Sequence, residues 1–350
     1  MLRHPSARRR SDSASMFGNT PASLPYRIAV FVIPQFAMMG FTSAIEPLRS
    51  ANRLSSRPLY SWHILSRDGK PVMASNGIAI MPEASIETAG RYNMVVVCAG
   101  LGAELYEDRA VFAWLRRLDR QGIDVGAISL GSYLLARAGL LDGFRCTIHW
   151  ENLSGFGEAF PQLDVTSELF EVDRNRFTCS GGIAAFDLML NLIRLQHGHA
   201  LASAISDQFL HERIRDRHDQ QRMALPARLG IRHPKLVAAV RRMEETLDEP
   251  VSCADLARIV DLSGRQLERL FRKYLGHTPT RYYTELRLNK ARLLLLQTDL
   301  SVLDVALACG FASASHFSKC YREFFKKTPS EERPAGVVAR GAERVSRAAK

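Results

Sequence analysis

A chain of 350 residues, 46% of them hydrophobic, has room for two buried cores, which excludes a disordered polyelectrolyte. The net charge of +11 is unevenly placed: residues 231–350 carry 22 basic side chains against 14 acidic ones, residues 1–15 carry 4 against 1, and the remainder balances. A basic excess gathered near one end points to a polyanionic partner there and not in the middle.

The cysteines Cys98, Cys146, Cys179, Cys253, Cys309 and Cys320 lack the paired spacing of a zinc site or a disulfide framework. No metal and no cofactor is therefore expected, and reduced thiols in a cytoplasm are. No apolar run reaches the length of a membrane span, and the leading segment has no secretory core.

Residues 1–24, rich in Arg and Ser at the start, read as a disordered basic tail, with Met1 and Met16 both open as the natural start. From Arg27 the pattern changes. Strands are expected at 28–33, 60–66, 94–98 and 124–128, alternating with helices beginning at 41 and spanning 111–121 and 130–138. Such alternation predicts an α/β fold, a doubly wound parallel sheet of flavodoxin-like type over 25–211.

Ligands of open sheets bind beyond the carboxyl ends of strands, so three strand ends matter. The first leads to Glu46. The second leads to Gly100, in a turn able to bring amides close to a ligand. The third carries Ser129 on a sharp strand-to-helix turn, within Ala127-Ile128-Ser129-Leu130-Gly131. Downstream, His149, Trp150 and Glu151 set an imidazole, an indole and a carboxylate side by side.

Ser129 has three readings: a hydrolase nucleophile on an approximate nucleophile elbow, a polar group beside a helix start that receives a ligand carboxylate, or a plain helix cap. Glu46 and Glu151 could accept from a cationic ligand while Trp150 offers a cation-π face. Trp150 equally suits core packing, and His149 the satisfying of a buried backbone group. His197 and His199 have metal-like types, but two histidines after a helix are usually solvated.

A helix is expected to reach about residue 199, followed by another over 201–208. The charge-dense stretch 212–233, interrupted by Pro226, reads as a linker. Residues 234–332 then form an all-α domain, and 333–350 a flexible basic tail.

Within that domain the sequence repeats itself. Ser252 and Ser301 open two short helices as N-caps, and the small Ala257 and Ala306 let a second helix approach. Leu267, Leu270 and Phe271, then Phe317, Cys320 and Tyr321, seat that second helix in each copy. Its free face carries Arg265, Gln266, Arg269 and Arg272 in the first copy and Ser315, His316, Lys319 and Arg322 in the second. Such side chains donate to phosphates and base edges. The amphipathic stretch 281–297 is expected as a rigid spacer between the copies.

Two helix-turn-helix units in tandem, with Gly310-Phe311-Ala312-Ser313 in the second turn and Thr-Pro after each copy, resemble the AraC/XylS family of bacterial transcription regulators. The resemblance implies sequence-specific promoter binding, usually as an activator that recruits RNA polymerase. Residues 27–199 are similar to the class I glutamine amidotransferase-like superfamily that includes PfpI-type proteins. Its catalytic members carry a cysteine at the elbow, and the resemblance places Glu46 facing it. Here the elbow is Ser129, which cannot supply a thiolate, so no catalytic residue is expected.

Gly139-Leu140-Leu141-Asp142-Gly143, followed by Thr147 and His149-Trp150, resembles the sensor of GlxA-type regulators, which join both domains in one chain. That resemblance implies a homodimer and a small amine-bearing effector, in a family tied to catabolism of metabolites such as arginine, glycine betaine or carnitine. The expected function is a ligand-responsive transcription regulator; the alternative is a Ser129 hydrolase tethered to DNA.

Overall fold

Continuous apolar runs become the centre of a sheet. In the computed structural model, which describes residues 17–19 and 23–333, the first 221 residues fold in the order β1 (Tyr26–Val32), α1 (Met38–Ser55), β2 (Tyr60–Ser66), β3 (Val72–Met73), β4 (Ala79–Ile80), β5 (Ala84–Ser85), β6 (Met94–Ala99), α2 (Arg109–Arg120), β7 (Asp124–Ser129), α3 (Ser132–Arg137), β8 (Arg145–Thr147), α4 (Leu153–Ala159), β9 (Asp164–Thr166), β10 (Phe170–Asp173), β11 (Arg176–Cys179), α5 (Ala184–His197) and α6 (His199–Gln208). The main sheet runs β10-β11-β7-β6-β1-β2-β5, parallel except for the antiparallel edge pair β10 and β11. Every residue of β6 and β7 is buried, as parallel strands covered on both faces must be. Because β1 pairs with β2 on one side and β6 on the other, winding reverses there, and the carboxyl ends of these strands are where open sheets of this kind hold a ligand crevice.

The expected α/β domain is thus present, with three differences. Residues 17–19 belong to it and not to a tail: Phe17 is buried, its ring 5.1 Å from that of Phe177, and its amide donates to Arg174 at 3.0 Å. Residues 1–16 and 20–22 of the expected basic tail, Met16 among them, lie outside the described residues. Helix α3 is only six residues long, so it lends the elbow little macrodipole.

The third difference concerns the stretch expected as a linker. The chain divides into two units, one of residues up to 153 with 160–221, the other of residues 154–159 with those from 222 onward. Residues 212–221 therefore pack with the sheet domain. Asp187, fully buried in the first turn of α5, explains why. Its Oδ2 accepts from Arg215 Nε at 2.9 Å and Nη2 at 2.7 Å, and its Oδ1 accepts from the Arg215 amide and pairs with His211 Nε2, both at 2.8 Å. A charge removed from water persists only when paired and hydrogen-bonded, and this carboxylate draws its partners from the following segment.

The second unit is helical: α7 (Leu225–Leu229), α8 (Pro234–Glu245), α9 (Cys253–Ile259), α10 (Gly264–Leu275), α11 (Pro279–Gln297), α12 (Val302–Ala308), α13 (Ala314–Phe325) and α14 (Pro329–Glu332). Helices α9 and α10 make one helix-turn-helix, and α12 and α13 the other. Each first helix starts on the serine expected, Ser252 accepting from the Asp255 amide and Ser301 from the Asp304 amide. Leu267 and Phe271 in one copy, and Phe317 and Tyr321 in the other, are buried at matching positions. The spacer α11 is 19 residues long, about 28 Å at the usual rise, and buries Tyr283, Leu288, Ala291, Leu294 and Leu295, with Tyr282 and Leu286 only partly covered.

Candidate functional site

The reader is built by turns held from outside. In the first copy the turn passes through Asp261 at φ 53°, and in the second through Gly310 at φ 70°, so both turns reverse in the left-handed region. Lys235 Nζ donates to Asp261 O at 2.6 Å, while Arg287 donates through Nε to Cys309 O at 2.7 Å and through Nη2 to Gly310 O at 2.6 Å. A cation from a packed neighbouring helix thus caps the carbonyls of each turn and fixes the angle at which the second helix leaves.

That second helix presents the expected face. Arg265, Arg269, Arg272, Ser315, His316, Lys319 and Arg322 are all exposed. Among the described residues the head groups of Arg265, Arg269, Lys319 and Arg322 pair with no carboxylate, while Arg272 meets Glu268 at 2.7 Å in a solvated pair worth little. Gln266 is exposed, yet its side chain is engaged. Its Oε1 accepts from the Ser263 amide at 2.8 Å and its own amide donates to Ser263 Oγ at 3.2 Å, a capping box that starts α10. His316 stands 5.9 Å from the Phe311 ring, with Nε2 3.4 Å from Cys320 Sγ. These are the groups an α-helix needs to enter a major groove.

In the first unit, four loops meet at the carboxyl ends of β1, β6, β7 and β11. Ser129 ends β7 at φ 58°, the strained conformation of a nucleophile elbow, and is nearly buried. A Cβ on Gly181 would stand 2.7 Å from Ser129 Cβ, and one on Gly40 would stand 2.9 Å from Ile128 Cγ2 and 3.5 Å from the Gly182 amide. Glycines at these positions let the loops close on the elbow. Gly100 serves the same end: a Cβ there would meet Ala37 N at 2.8 Å, so its bare Cα admits the chain leaving β1.

The α1 residue facing the elbow is therefore Gly40, and the expectation for Glu46 is corrected. Six residues further on is about 9 Å along the axis and about 120° round the helix. There Glu46, half-exposed, accepts from Arg49 at 2.6 and 2.8 Å. Neither Gly40 nor the Gly181-Gly182 pair stands out as a site residue in the sequence alone. The signal available was the pair of adjacent glycines ahead of a helix.

His149, Trp150 and Glu151 follow β8, which is tied to the elbow helix. Ser132 Oγ donates to Thr147 O at 2.8 Å, and the Thr147 amide donates to Thr178 Oγ1 at 2.8 Å. Burial holds the His149 imidazole below its ordinary pKa, against the pull of Glu151 3.9 Å away, and the His149 and Trp150 rings tilt together at 5.6 Å. Exposed apolar side chains border the converging loops: Met39 beside Gly40, Leu101 beside Gly100 and Ile183 beside Gly182.

Acyl-transfer chemistry would need a nucleophile and a base within hydrogen-bond reach. Among the described residues the Ser129 hydroxyl makes no hydrogen bond. Cys98 and Cys179, paired in register with Ile128, are fully buried; burial pushes the Cys179 thiol up to about 12 and raises that of Cys98 as well. No thiolate stands beside the elbow. No group of His, Cys, Asp and Glu suited to holding a metal ion occurs among the described residues.

The helix-turn-helix domain family model matches residues 256–335, and the DJ-1/PfpI family model matches 26–195. The HTH-type transcriptional regulator GbdR of Pseudomonas aeruginosa is 49% identical over 309 residues, which cover 88% of this chain and 84% of that protein. GlxA of Rhizobium meliloti, likewise an HTH-type transcriptional regulator, is 39% identical over 309 residues, 88% of this chain and 95% of its own. A solved AraC family transcriptional regulator from Pseudomonas putida covers 53% of this chain and all of that one at 29% identity, with a TM-score of 0.49.

A DJ-1/PfpI-type sheet domain carrying an AraC-type reader defines a DNA-binding transcription regulator, not an enzyme. The chain belongs to the GlxA/GbdR-type group of AraC-family regulators.

Proposed function

We propose that the protein switches genes of amine or amino-acid catabolism on in response to a small amine-bearing metabolite bound at the Ser129 crevice. The observation that supports this most is a strained elbow that keeps its closed glycine-lined geometry without a thiolate or a base. Strain of this kind held without chemistry suits a binding site. Ser129 and nearby amides would receive the metabolite's carboxylate, Trp150 would face its cationic group, and Met39, Leu101 and Ile183 would cover its apolar parts. His149 and Glu151 complete that wall.

Binding biases the arrangement of two reader copies in a homodimer, which recruits RNA polymerase at a promoter in the cytoplasm. No helix among the described residues is long and apolar enough to cross a membrane.

Thermal-shift measurement of the full chain against glycine betaine, carnitine, arginine and related amines tests the reading. At least one compound is expected to raise Tm. Trp150→Ala is expected to weaken that compound by about 1–2 kcal/mol through loss of the cation-π face. A panel without any shift, or hydrolysis of amide or ester substrates that Ser129→Ala abolishes, would overturn it.

A further inference from the structure

We infer that residues 211–221 form a strap that reports the state of the Ser129 crevice to the segment entering the reader. The inference rests on the reading of that crevice as the effector site.

Two bonded routes run from the elbow to this strap. Along the first, Gly181 lies against Ser129, and its neighbour Ser180 donates its amide to Leu169 O at 3.0 Å and its hydroxyl to the same oxygen at 2.9 Å. The Leu169 amide in turn donates to Arg217 O at 2.8 Å. Along the second, Ser132 Oγ holds Thr147 O, and Gln221 Nε2 donates to Thr147 Oγ1 at 3.1 Å, Ile148 O at 3.1 Å and Glu168 O at 2.8 Å. Ile148 directly precedes His149 and Trp150. A ligand that moves either wall of the crevice therefore acts on a residue one or two hydrogen bonds from the strap.

The two ends of the strap are fastened unequally. Asp187 grips Arg215 and His211 with a fully buried carboxylate. Gln221 shares one amide group among three acceptors, while its Oε1 is buried without a partner. His218 meets Glu168 at 3.1 Å and Gln220 bridges to Glu168 at the same end, and burying Gln221 Oε1 unpaired offsets part of what these contacts contribute. A closure offset in part in this way opens more readily under a bias at the crevice. Opening it lengthens the connection into the second unit from residue 222 back toward Arg215.

Coupling between two sites is reciprocal, which gives a test that needs no effector. Amide hydrogen exchange is followed in the full chain for wild type, Gly181→Ala and Gln221→Ala. Gly181→Ala places a methyl against Ser129 at a φ of 95° and is expected to raise exchange of the Leu169 amide at least about tenfold. Gln221→Ala is expected to raise exchange of the Ser180 amide by a similar factor, with Val96 in the sheet centre unchanged as the check on folding.

Should Gly181→Ala fail to fold, Gln221→Ala decides alone. A folded variant whose altered exchange stays on its own side of Leu169 would overturn the inference. A silent thermal-shift panel sinks the effector reading and leaves these exchange rates standing, so the two failures are distinguishable.

Discussion

Arg269→Ala and Lys319→Ala are each expected to weaken operator binding by about 1–3 kcal/mol, the range for a side chain that reads a base edge. Both residues project from the exposed faces of α10 and α13 and pair with no carboxylate among the described residues, so neither substitution disturbs the fold. They sit in separate copies joined by α11, hence their effects are expected to add within about 0.5 kcal/mol. Anisotropy titrations over a range of salt separate reading from steering. A base contact relaxes sequence preference at one position. A phosphate contact weakens binding alike on all sequences and lowers the salt slope by about 1. Gln266→Ala makes a useful contrast, because its side chain closes the capping box with Ser263 and its loss acts first on α10.

Asp187→Ala is expected to destabilise the sheet domain by about 3–5 kcal/mol, as removing one partner of a buried ion pair leaves the other uncompensated. Arg215 would keep its guanidinium against a carboxylate that is gone, and the Arg215 amide would lose its acceptor. Urea unfolding of the full chain measures this. Glu46→Gln serves as the comparison, since Glu46 and Arg49 form a solvated pair whose loss is expected to cost less than about 1 kcal/mol. Equal effects of the two substitutions would refute the assignment of Asp187 as the anchor of residues 211–221.

The tandem reader was legible because its signals are local and repeat. Leu267 and Phe271 against Phe317 and Tyr321 give one helical stripe twice, and Ser252 and Ser301 mark the same start. The central strands were legible too, because β6 and β7 are uninterrupted apolar runs. What escaped depends on partners distant in sequence. Asp187 carries no local signal of its role, because Arg215, which neutralises it, lies 28 residues later. The same pairing draws residues 212–221, the first part of the expected linker, into the sheet domain.

Phe17 followed a tail of Arg and Ser and found Phe177 far along the chain. At the elbow, Glu46 drew attention as a carboxylate, while the close approach to Ile128 and the Gly181-Gly182 loop falls to Gly40, which has no side chain to notice.

Anisotropy titration of the full chain on upstream DNA fragments from its own genome, at about 0.15 M salt, tests the central claim most directly. A regulator of this construction is expected to bind at least one fragment about 10³-fold or more tighter than unrelated DNA of equal length. Uniform affinity for every fragment, with and without the candidate amines, would contradict it.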